Sequence, residues 1–255
     1  MGKLFDFDFM VDAFPRILRY LPVTLEITFI AMIIGLVLGL AIALSEIHNI
    51  PVLKQLGQGY VAFIRGTPLM VLIYLTYFGI PLMLEGLNRQ FGTAFNTNSI
   101  PPLVYAFVAL GLNDAAFNSV AIRSAIEAVD KREIEAAHSI GMTALQTFKR
   151  VIAPQALIIA VPNLGNQIIG LIKGTSLAFT VSVIDIMASA RIQGSRGMRF
   201  IEVYIDVAVI YWVVCFFTGK LALLIERRLR RSELTTPEED EDPDDNIMKM
   251  YERNI

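Results

Sequence analysis

The chain has 255 residues, 55% of them apolar and only 18% charged, with a formal net charge of −2. An ordinary soluble domain is about 45–50% apolar and about 25% charged, so the excess marks an integral membrane protein. The charge argues against a nucleic-acid partner, the single Cys215 excludes a disulfide framework or thiolate metal cluster within the chain, and His48 and His138 leave little for a metal site. No cofactor is expected.

In chain order, residues 1–20 read as an amphipathic N-terminal segment carrying Phe5, Phe7, Phe9 and Phe14. Asp6, Asp8 and Asp12 stand where a cleavable signal has basic residues, and the apolar run that follows is too long for one. A membrane helix needs about 20 mostly apolar residues. Five runs qualify: 21–44, 60–84, 101–122, 156–186 and 203–225. Arg65 interrupts the second, where Gly66-Thr67-Pro68 breaks the helix, and Lys173 interrupts the fourth. The spacing predicts an all-α membrane domain over 21–231. Residues 232–255 form an acidic tail with Pro237 and Pro243, expected to be disordered.

Orientation follows from Lys and Arg. The stretches after runs one, three and five carry Lys54, Arg123, Lys131, Arg132, Lys149, Arg150, Arg227, Arg228, Arg230 and Arg231. That excess predicts the N-terminus outside and the C-terminus in the cytoplasm.

The loop at 123–155 carries its own structural signals. Asp130 followed by Glu133 reads as a capping box, so a helix should begin near Lys131. Gly141 stands where a helix closes on a left-handed residue. A second short helix is expected at about 143–152, with Pro154 in the first turn of the next span. The small side chains of Ala136 and Ala137 would let a partner approach the helix backbone, and Glu135 can accept hydrogen bonds. The same residues also fit a plain surface hairpin.

The motif Glu135-Ala136-Ala137, three residues, Gly141, nine residues, Val151-Ile152-Ala153-Pro154 resembles the EAA loop of ATP-binding-cassette importer permeases. Residues 65–81 (RGTPLMVLIYLTYFGIP) and 172–186 (IKGTSLAFTVSVIDI) resemble spans of the polar amino acid permeases, a group that includes histidine, glutamine and cystine permeases. The resemblance implies a type I importer permease fold of about five transmembrane helices in the cell membrane, with the EAA loop as a coupling helix. It further implies ABC ATPase subunits, a second permease (identical or homologous), an extracytoplasmic substrate-binding protein and a polar amino acid substrate. The chain departs from the family pattern at Arg132 and Glu133 before the motif, at Val120 after Phe117, and at Gly174 after Lys173.

Polar groups at membrane depth are expensive and tend to face a cavity or another helix. Those within the runs include Glu26, Thr28, Arg65, Thr67, Asn113, Asp114, Asn118, Asn163, Asn166, Gln167, Lys173 and Asp206. A zwitterion needs acceptors for its ammonium and donors for its carboxylate. Asp114 with Asn113 and Asn118 offers the first; Lys173, Thr175 and Ser176 offer the second. Each has a structural alternative: Asp114 as a helix-packing residue, Lys173 as a loop residue tied to Asp185, and Arg65 as part of the helix break. Gly35 and Gly39 stand at a spacing that permits close helix packing, as do Gly170 and Gly174. No phosphate-cradling G-x-x-x-x-G-K-[ST] string occurs, so the chain is not expected to be an enzyme, and ATP hydrolysis falls to a partner. The rivals are an ion-coupled carrier or channel, whose expected internal repeat is not found, and a membrane-anchored interaction protein.

Overall fold

The structure, a computed structural model, describes residues 5–233, which fold into ten α-helices. Helix α1 (Phe7–Leu18) starts at Asp6, whose side chain accepts from the Phe9 N–H at 3.1 Å. It buries Ala13 and Ile17 against Ile186, Ala190, Val203, Val207 and Ile210. The aromatic residues of the N-terminal segment therefore divide: Phe9 and Phe14 pack on this cluster, while Phe5 and Phe7 are exposed.

Helix α2 (Leu21–Ile47) and α5 (Pro102–Glu127) form the central pair. A Cβ on Gly35 would lie 2.3 Å from Asp114 Oδ2, and one on Gly39 would lie 3.0 Å from both the Ala115 carbonyl and the Ser119 amide nitrogen. Small residues thus let the two backbones approach as the Gly35/Gly39 spacing anticipates. Around this pair lies an apolar core of Ile27, Ala31, Ile73, Ala106, Ala109, Leu110, Leu171 and Ala178.

The second apolar run is not one helix. Helix α3 (Pro51–Gly66) ends where Thr67 adopts φ −109°, ψ 133°, and α4 (Leu69–Phe91) begins after Pro68. Proline pushes the preceding residue out of the helical region, so the membrane-length helix is Leu69–Phe91 rather than 60–84. The fourth run is also divided. Helices α6 (Lys131–Ser139) and α7 (Ala144–Thr147) lead through a π turn at Phe148–Ile152 into α8 (Ala153–Gly174). A 3₁₀ turn at Thr175–Val181 ends on Ser182 at φ 66°. Helix α9 (Ile186–Gly197), which the apolar pattern does not announce, starts at Asp185, whose side chain accepts from the Ala188 N–H at 2.9 Å. Helix α10 (Phe200–Glu233) completes the described chain. Among the described residues, five stretches are long and apolar enough to cross a membrane: Leu21–Ile47, Leu69–Phe91, Pro102–Glu127, Ala144–Val181 and Phe200–Arg230. Most of the expected acidic tail lies outside the described residues.

Candidate coupling helix and translocation cavity

The loop between the third and fourth spans is ordered by its own caps. The Asp130 side chain accepts from the Arg132 N–H at 2.9 Å, opening α6. The reciprocal half of the expected capping box does not form: Glu133 instead accepts from Gln155 Nε2, which ties α6 to the root of α8. At the other end Gly141 has φ 82°. The Met142 N–H bonds to the Ala137 carbonyl at 3.1 Å and the Gly141 N–H to that of His138 at 3.0 Å. This pairing is a Schellman closure, which requires the left-handed residue that glycine supplies. Thr143 and Gln146 then form a full capping box for α7.

The loop is anchored from beneath by Ala125, Val129, Ala156 and Ala160, with Ile134 and Ile152 packed against them. Glu46 and Arg123 form an ion pair that joins the ends of α2 and α5 just before the loop. Facing outward are Glu135, Ala136, Ile140 and Leu145, the last two 76% and 63% exposed. Ala137 differs from the expectation of a partner-facing residue. It is 5% exposed, because its register on α6 turns it toward the loop interior. Pro154 is exposed in the first turn of α8. Ile140 and Leu145 were legible as apolar residues outside any span, flanking the turn glycine.

The polar groups separate into three sets. Asp114 and Asn118 are 4% and 1% exposed and bond to each other, Asn118 Nδ2 donating to Asp114 Oδ2 at 2.7 Å. They face the glycines of α2, while Asn113 is half-buried. Lys173, Thr175 and Ser176 lie at the far end of α8, about 30 Å from its start at 1.5 Å per residue. Thr175 is fully buried with its hydroxyl donating to the Ile172 carbonyl, and the Ser176 hydroxyl donates to the Lys173 carbonyl. The expected tie from Lys173 to Asp185 is not formed; Asp185 caps α9 and accepts from the Tyr211 hydroxyl at 3.4 Å.

The third set lines an open cavity of about 370 Å³ between the end of α3, α5 and α8: Arg65, Phe117, Val120, Ala121, Ser124, Asn163, Asn166 and Gln167. The Arg65 guanidinium lies 5.4 Å from the Phe117 ring centroid, a cation–π contact. The signal was present in the spacing. Phe117, Val120/Ala121 and Ser124 form one helical stripe, and Asn163 with Asn166/Gln167 forms another. What the sequence does not reveal is that the two stripes face each other beside Arg65.

Residues 32–231 match the family of the binding-protein-dependent transport system inner membrane component. The chain belongs to this family. This permease is 37% identical over 233 residues to the L-cystine transport system permease protein TcyL of Bacillus subtilis (strain 168), with 91% of this chain and 95% of that one covered. It is also 37% identical over 228 residues to the probable amino-acid ABC transporter permease protein PatM of Vibrio harveyi, covering 89% and 98% of the two chains. Its fold is similar to the crystal structure of an amino acid ABC transporter with histidines. That match has a TM-score of 0.76 at 36% identity and covers 89% of this chain and 100% of the other. The α6–Gly141–α7 element therefore sits in a chain of the importer-permease type, as its motif anticipates.

Proposed function

We propose that this permease lines the translocation path of an ATP-driven importer of polar amino acids. The observation that carries the reading is the α6–Gly141–α7 element. It is fixed to α5 and α8 from below and presents Ile140 and Leu145 outward beside Glu135 and Ala136. Apolar side chains held on a rigid surface outside the spans suit a docked ATPase subunit, and a push on α6 is transmitted directly into two spans.

Arg65, Asn163, Asn166 and Gln167 make one face of this protomer polar. Such a face is costly against lipid, so it belongs on a water-filled path completed by a second permease, identical or homologous. Substrate is delivered from outside by a binding protein, and the excess of Lys and Arg after spans one, three and five supports an N-terminus outside and an ATPase-facing loop in the cytoplasm.

The test is reconstitution of the tagged permease, together with the proteins that co-purify with it, into proteoliposomes. An ATPase in the purified complex and amino acid uptake dependent on ATP are expected. Uptake driven by an ion gradient with no ATPase present would establish the carrier reading instead.

A further inference from the structure

We infer that the Arg65 cavity discriminates by side-chain charge, accepting neutral and acidic amino acids and rejecting basic ones. The inference rests on the reading above that this cavity lies on the path.

The lining carries one formal charge, the Arg65 guanidinium, together with the neutral hydrogen-bonding groups of Ser124, Asn163, Asn166 and Gln167. A guanidinium presents a planar fork that matches a carboxylate with two parallel hydrogen bonds. The Phe117 ring stands beside that fork. Every amino acid brings an α-carboxylate for Arg65 and an α-ammonium that the Asn and Gln carbonyls can accept. A lysine or arginine brings a second cation, and the lining contains no carboxylate to neutralise it.

Three buried or neighbouring carboxylates are engaged outside the lining: Asp114 by Asn118, Glu46 by Arg123, and Glu226, in the adjoining α8–α10 groove beyond Asn166, by Arg230 at 3.3 Å; Glu127, one turn past Ser124 on α5, is exposed outside the lining. Two like charges about 7 Å apart, at an effective dielectric near 20, disfavour occupancy roughly fiftyfold. Solvent in an open cavity reduces this, so a discrimination of about tenfold or more is expected.

The assay uses the permease–ATPase complex without binding protein, so that delivery does not set the specificity. A reporter thiol is placed at the cavity wall by Ser124→Cys in a Cys215→Ser background. The rate of its alkylation is then measured against rising L-glutamine, L-glutamate and L-arginine. Glutamine and glutamate should protect at concentrations at least about tenfold below arginine. Arg65→Gln should abolish glutamate protection, and Gln167→Glu should bring arginine protection to the level of glutamine. Protection by arginine equal to that by glutamine in the parent complex would overturn the inference, as would no protection by any of the three. A complex that still couples ATP to amino acid uptake under either result retains the transport function and loses only the charge filter.

Discussion

Gly141 offers a perturbation whose cost can be worked out in advance. Its φ is 82°, and a Cβ built there meets no heavy atom within 4 Å. A side chain at 141 therefore costs only what the left-handed backbone costs an L-residue, about 1–2 kcal/mol, with asparagine cheaper because it visits this region readily. A β-branched side chain stands at the upper end of that range. If the closure is lost, so are the Met142→Ala137 and Gly141→His138 bonds that set the angle between α6 and α7. At 1.36 kcal/mol per tenfold, the native loop population relative to its alternatives falls roughly fivefold to thirtyfold. The expected order of damage is Gly141→Asn, then Gly141→Ala, then Gly141→Val. The readouts are the amount of ATPase retained per tagged permease and the substrate moved per ATP hydrolysed, with membrane insertion unchanged. Gly141→Val behaving like the parent chain would refute the reasoning. Equal loss in all three variants would place the fault in a clash with the docked ATPase rather than in the backbone.

Other expectations follow from the same geometry. Gly39→Ala, whose Cβ would press on α5 backbone atoms at 3.0 Å, should destabilise the permease by about 1–3 kcal/mol, whereas Gly59→Ala, with nothing within 4 Å, should be neutral or slightly stabilising; thermal unfolding in detergent compares them, and equal effects would contradict the close α2–α5 approach. Asp114→Asn should lower the amount of assembled complex and leave transport per complex unchanged, since Asp114 faces Gly35 and Asn118; a raised substrate requirement would return it to the path. A cysteine at Asn96 in a Cys215→Ser background should react with impermeant reagents in intact cells and one at Asp240 only after opening them, and the reverse pattern would invert the orientation.

The sequence by itself determined what depends on local chemistry. Run length and composition specified five spans, and the Asp130, Gly141 and Pro154 signals specified the α6–Gly141–α7 loop, because caps and φ preferences act within a few residues. Gly35 and Gly39 announced a close contact but not its partner. Tertiary structure alone decided that the partner is the Asp114–Asn118 face of α5, which removes the most conspicuous intramembrane acid from the open surface. It also turned Ala137 inward, redirected Glu133 to Gln155, and ended α8 at Gly174 inside the fourth apolar run, where a 3₁₀ turn takes over. The cavity was least legible of all. Arg65, Phe117 and Asn163 are separated by tens of residues and converge only when α3, α5 and α8 pack together. Hydropathy reports how costly a polar group is at membrane depth, but which neighbours relieve that cost depends on helix rotation and crossing, and those are set by packing across the whole bundle.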